Sequence, residues 1–171
     1  MMKAFLASLF IGLALFTEAQ PGKYAGSKKS LLNKFFHDSK HIDGLKGWQF
    51  REGSVVNNIN DPDLFTVDVF QKGNSFVILF SVKEDAQDST DKDFQVADVV
   101  EIKNLPASQE VKTAVCREYR SENPRIAAVV TKQKKEYMRA IKAWRLNLDK
   151  RRIEAVAAST VDCLNEGFDQ P

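Results

Sequence analysis

Residues 64–83 constrain the fold more than any other stretch of this chain. Two runs, 64–71 (L-F-T-V-D-V-F-Q) and 75–83 (S-F-V-I-L-F-S-V-K), are dense in β-branched and aromatic residues, and Lys72, Gly73 and Asn74 separate them. Branching at Cβ restricts χ1 in a helix and packs well on a pleated surface. Two such runs joined through a Gly-Asn turn predict an antiparallel hairpin. A hairpin alone is marginal in water, so further strands must cover it.

The rest of the chain supplies them. Residues 48–52 predict a short strand, and N-N-I-N-D-P at 57–62 is dense turn chemistry. Residues 94–103 predict a strand with Phe94, Val96, Val100 and Ile102 on one face, ended by Asn104-Leu105-Pro106. Over 109–118 helix and strand compete, and the alternation of Val111, Thr113 and Val115 favours strand. Residues 125–132 (R-I-A-A-V-V-T-K) predict another strand. Over 137–148, Tyr137, Ile141, Trp144 and Leu148 fit a helical stripe, whereas Asn147 to Lys150 followed by Ile153 to Val156 fits a hairpin. Near the N-terminus, Leu31, Leu32, Phe35 and Phe36 form an apolar stripe that predicts a helix over 27–40, capped by Ser27 or Ser30 and ended by Gly44 and Gly47. The expected fold is a mainly β (α+β) single domain over 20–171, with one N-terminal helix and a curved antiparallel meander or barrel-like sheet of about eight strands. A meander of that length must curl to protect its edges.

Residues 1–19 stand apart. Lys3 precedes an apolar run of 13 residues from Ala4 to Phe16, and Thr17-Glu18-Ala19 places small residues at −3 and −1 of a cut. This is the layout of a secretory signal peptide. The run is too short for a bilayer core of about 30 Å, so no membrane span is expected. The working chain is then exported, to a periplasmic or extracellular location. Cys116 and Cys163 are the only cysteines, and export is oxidising, so a disulfide between them is expected.

The segments Val69-Phe70-Gln71-Lys72-Gly73, Ala97-Asp98-Val99-Val100-Glu101-Ile102, Cys116-Arg117, Lys142-Ala143-Trp144-Arg145 and Asp162-Cys163-Leu164-Asn165-Glu166-Gly167 occur in that order. Together they resemble a group of uncharacterised exported bacterial proteins that end in a hairpin carrying Ala-Trp and a Cys-x-Asn-Glu-Gly tail. The resemblance covers most of the chain after the leader. It implies a bacterial exported protein with Cys116 paired to Cys163, favours a hairpin over 137–156, and carries no activity.

Candidate chemistry is sparse. His37 and His41 are spaced i, i+4, as two metal-binding imidazoles on one helix face would be. Asp38 stands where the zinc-protease signature has Glu, Gly47 where it has a third His, and no further His exists. Two surface histidines near a helix end are the simpler interpretation, and no metal or cofactor is assigned. The acidic stretch 84–93 lacks the spacing and central glycine of a calcium loop. Asp68 and Asp98 sit mid-strand, Asp68 sharing a face with Leu64 and Phe70, and Asp98 with Phe94, Val96, Val100 and Ile102. Carboxylates on apolar faces are costly unless paired, and could serve as acid and base. The structural alternative is an ion pair with Arg125, Arg139 or Arg145, or a partly wet barrel lumen.

Charge is unevenly spread. Residues 53–110 carry 4 Lys/Arg and 11 Asp/Glu, and residues 111–152 carry 13 Lys/Arg and 4 Asp/Glu. A basic half suits an acidic protein or glycan partner, while export disfavours nucleic acid. No P-loop, G-x-G-x-x-G or G-x-S-x-G occurs. The expected function is non-enzymatic binding of a small ligand or a partner. The rivals are a hydrolase-like enzyme using Asp68 and Asp98, with His37 or His41 assisting, and an inhibitor- or immunity-type interaction module.

Overall fold

The computed structural model describes residues 27–85 and 93–168. Residues 1–26, with the expected signal peptide, and most of the acidic stretch 84–93 lie outside these residues. Among the described residues a short helix, α1 (Ser27–Leu31), precedes twelve strands: β1 (Phe35–Phe36), β2 (Gln49–Val55), β3 (Leu64–Lys72), β4 (Ser75–Lys83), β5 (Phe94–Ile102), β6 (Gln109–Thr113), β7 (Cys116–Glu118), β8 (Ser121–Glu122), β9 (Ile126–Thr131), β10 (Tyr137–Asn147), β11 (Arg152–Val156) and β12 (Val161–Leu164). No helix there is long and apolar enough to cross a membrane.

Five strands form the first antiparallel sheet, in the order β1-β5-β4-β3-β2. The predicted hairpin is its centre, with Lys72 opposite Ser75 and Gly73 at φ +59° turning the chain. Both faces of this sheet are buried, which is why its strands read as near-continuous apolar runs. One face, with Phe65, Val67, Val69, Ile78, Phe80 and Val82, packs against Ala127, Val129 and Leu146 of the second sheet. The other, with Phe70, Val77, Leu79, Val96 and Val99, lies under Leu31, Phe36, Ile42 and Leu45. Burying side chains of this size contributes about 1.5–3 kcal/mol each, so the two cores supply most of the fold's driving force.

The second sheet runs β6-β9-β10-β12-β7-β8, with β11 also paired to β10. Its two ends, β6 and the β7–β8 hairpin, are neighbours in the chain, joined through Ala114 at φ +60°. The sheet therefore curls into a half-barrel. Its inner face holds Ile126, Ala128, Val130, Met138, Ala143 and Val161 around the Cys116–Cys163 disulfide. The two cysteines face each other across β7 and β12, Cα to Cα 3.9 Å. A bulge at Ile141 lets β10 pair with β12 along its first residues and with β11 along its last.

Three expectations change. The N-terminal helix stops at Leu31, not Lys40, because Asn33 adopts φ +62° and the chain then docks on β5: the Asn33 N–H donates to the Val96 carbonyl, and the Val96 N–H to that of Lys34, at 2.9 Å each. Strand alternation follows, with Phe36 buried and Phe35 65% exposed. The strands number twelve among the described residues rather than eight, since 35–36 becomes a strand, 109–118 breaks at Ala114, and the short 121–122 and 161–164 strands carry too little pattern to predict. In β5 a bulge at Ala97, between the pairs Phe80–Asp98 and Ser81–Val96, splits the predicted face. Val96 packs in one core, while Val100 and Ile102 pack in the other.

Candidate functional site

Asp68 and Asp98 do not converge. Asp68 pairs with Leu79 and Asp98 with Phe80, consecutive residues of β4 whose side chains leave opposite faces of the sheet. The two carboxylates therefore cannot act as acid and base on one substrate atom. Asp98 is a structural junction. Its Oδ1 pairs with Lys28 Nζ of α1 at 2.6 Å and accepts the Val99 N–H at 2.8 Å, while its Oδ2 accepts the Ile153 N–H of β11 at 2.8 Å. The partner is thus Lys28 rather than any of the three arginines considered from sequence, and Arg145 is held by Glu118. Asp98→Ala removes the acceptors of both backbone donors and of the Lys28 ammonium, and is expected to cost about 2 kcal/mol in urea unfolding. An unchanged midpoint would refute the junction.

Asp68 has no cationic partner among the described residues. It is buried, accepts a 3.4 Å hydrogen bond from the Thr66 hydroxyl, and burial pushes its pKa up to about 6. Gly53 lies opposite it on β2, where a Cβ would come within 2.4 Å of Asp68 Oδ1. Gly53 is thus required by close approach to the carboxylate.

The histidines do not share a helix face, because 35–36 is strand and 39–41 a single 3-10 turn. His37 pairs with Asp93 at 3.3 Å and His41 with Asp38 at 3.0 Å, both rings exposed. Among the described residues no three His, Cys, Asp or Glu side chains are placed to hold a metal ion.

A site that sequence patterning did not single out opens between the two sheets. Here β2 and β6, the outer strands of the two sheets, approach each other, and Thr113 Oγ1 donates across the seam to Glu52 Oε1 at 2.7 Å. Beside this clamp lies a cleft of about 700 Å³. Val69, Phe76, Leu105 and Val111 give it apolar surface. Arg51, Asn74, Asn104, Glu110 and Lys132 also line it. Arg51 is the extra residue of a β-bulge, since Phe50 pairs with Phe70 and Glu52 with Val69, and bulges re-aim side chains next to binding sites. The Leu105 N–H donates to the Asn74 carbonyl at 2.8 Å, tying the 104–106 turn to the hairpin tip. Among the described residues the side chains of Arg51, Asn74, Asn104 and Lys132 have no side-chain partner. The sequence signals at Asn74 and Asn104 read only as turn chemistry, and nothing local announces that the two turns meet.

Compared with protein-family models, with curated proteins and with solved structures, the chain matches none.

Proposed function

We propose that this chain is a non-catalytic, exported binding domain whose inter-sheet cleft takes a small polar molecule. The cleft carries the proposal. Its volume, about 700 Å³, falls within the range of small-molecule sites, and such sites combine apolar surface with a few directed polar groups. Two amides, two cations and Glu110 around Phe76 and Leu105 fit a ligand with both donors and acceptors, such as an amino acid, a dipeptide or a neutral oligosaccharide. The backbone tie between Asn74 and Leu105 pre-forms one wall, lowering the ordering cost of binding. The leader-like segment 1–19 and the disulfide support export.

Thermal unfolding of the full chain against a panel of amino acids, dipeptides and neutral oligosaccharides tests this. A ligand at a hundredfold excess over Kd stabilises by about 2.7 kcal/mol, or roughly 5–10 °C at this chain length. Ala107 lines the cleft and is exposed, so Ala107→Trp fills it without disturbing a core. The expected result is a ligand-induced rise in the wild type that Ala107→Trp abolishes. No rise with any panel member, or an equal rise in the variant, refutes the cleft as the site.

A further inference from the structure

A second cleft, sharing no residue with the first, lies beneath the β7–β8 hairpin. The hairpin turns through Tyr119 and Arg120, between the paired residues Glu118 and Ser121. Both turn residues adopt left-handed backbone, φ +50° and +66°. Turns of this kind favour Asn and Gly, and bulky side chains are disfavoured there. The turn nevertheless holds a tyrosine 76% exposed beside an exposed arginine. The Tyr119 N–H donates to the Thr160 carbonyl at 2.9 Å, fixing the tip over the 158–160 turn. Between them is a space of about 430 Å³ lined by Tyr119, Arg120, Arg139, Ser159, Thr160 and Asp162.

The charge of this cleft is uncompensated. Asp162 could neutralise it, but Arg117 occupies both of its oxygens, Nε to Oδ1 at 2.7 Å and Nη2 to Oδ2 at 2.9 Å, and is itself stacked over the Tyr137 ring at 3.3 Å. Arg139 sits opposite Asp162 in the β10–β12 register without bonding it. Among the described residues neither Arg120 nor Arg139 has a carboxylate partner. Two arginines, an exposed tyrosine, Ser159 and Thr160, whose hydroxyl donates to the Ala157 carbonyl at 2.8 Å, therefore line one concave space.

We propose that this cleft binds acidic sugar residues: Arg120 and Arg139 pair with the carboxylate of a uronic acid, and Tyr119 covers the face of its ring. Guanidiniums recognise carboxylates through paired, charge-assisted hydrogen bonds. A tyrosine offers a large rigid surface with little conformational freedom to lose. The disfavoured turn is what presents the ring and the guanidinium together, and strain of this kind collects at binding sites.

The test is calorimetric titration of the full chain with tetragalacturonic acid at low salt, repeated with maltotetraose and with tetraglutamate. Binding of tetragalacturonic acid is expected, weakening as salt screens the arginines. Maltotetraose, which lacks the charge, and tetraglutamate, which lacks the ring, are expected to bind at least ~tenfold more weakly. Arg139→Ala is expected to reduce affinity ~tenfold or more, with Arg139→Lys intermediate. Tyr119→Gly separates binding from folding: glycine suits the turn, so the unfolding midpoint holds or rises while affinity falls. Absence of tetragalacturonate binding overturns the proposal, as does equal binding of either control or full affinity in both Tyr119→Gly and Arg139→Ala. The controls are titrated against Ala107→Trp as well, in which the first cleft is filled, so maltotetraose or peptide bound at that cleft is not counted here and failure of one site leaves the other unaffected.

Discussion

Replacing both cysteines, as Cys116→Ala with Cys163→Ala, is expected to lower unfolding stability by about 4 kcal/mol. The bond closes a loop across 47 positions of sequence, and in the chain-entropy account a loop of that length restricts the unfolded chain by about this much. Location adds to length. Strand β12 pairs with β10 on one side and β7 on the other, through only three residues each, and β7 with β8 forms the open end of the curl. Without the bond, the half-barrel is held there by short ladders, by the Arg117–Asp162 pair and by the small core around Met138, Val161 and Ile126. Alanine at both positions keeps the interior apolar, so the effect isolates the cross-link rather than a buried hydroxyl. For a chain of this size 4 kcal/mol corresponds to roughly 8–16 °C in Tm. Both cysteines are fully buried, so reductant is expected to leave the bond intact in the folded protein and to reduce it only once the chain opens. A double variant that unfolds at the wild-type urea concentration would show that the curl does not depend on its staple.

The disulfide and the central hairpin were legible because their signals are local or exhaustive: one pair of cysteines, and two strands joined by a glycine turn. Period-based expectations failed wherever a bulge intervened. The predicted face of β5 ran through Ala97 as though the strand were regular, and the bulge there carries Asp98 to the side opposite Val96. The helical stripe in β10 has the same origin. Ile141 is the extra residue of a bulge and 43% exposed, so Tyr137, Ile141, Trp144 and Leu148 mimic a helical spacing that the strand does not have. Leu31, Leu32, Phe35 and Phe36 fit a helix equally well until Asn33 and Lys34 pair with Val96, more than sixty residues away. The clefts depend wholly on such distant meetings, since Glu52 bonds Thr113 and Tyr119 bonds Thr160. Loop closure of this length leaves no periodicity in the sequence to read.

Asp68→Asn is expected to raise stability by about 3 kcal/mol at pH 8 and to change it little near pH 4. The carboxyl faces Phe70 and Leu79 with the Thr66 hydroxyl as its hydrogen-bond donor. Nearby on the same face, directly across from Thr66, the Ser81 hydroxyl is buried without a partner. Desolvation dominates and lifts the folded-state pKa from 3.8 to about 6, against a small opposing effect of the Thr66 bond. A group raised in this way favours its protonated form in the folded chain. Below pH 3.8 both states hold the proton and the site has no pH dependence. Between there and pH 6 the unfolded chain ionises first, so stability falls as pH rises, and above pH 6 the loss is complete. The shift converts to about 3 kcal/mol. Asparagine nearly matches the shape, carries no charge and still accepts from Thr66, so the wild-type-minus-variant difference isolates this site from the other carboxylates. Urea midpoints of both proteins from pH 4 to pH 8 measure it, and a difference that stays flat across that range would mean Asp68 is ionised with a partner. A larger residue at Gly53 offers no such relief, because its Cβ would press on Oδ1. The chain thus keeps an ionisable group at a position where a neutral isostere is more stable, beneath the glycine that makes room for it. With that combination the first sheet is expected to weaken with rising pH at the face that Leu31, Phe36, Ile42 and Leu45 cover.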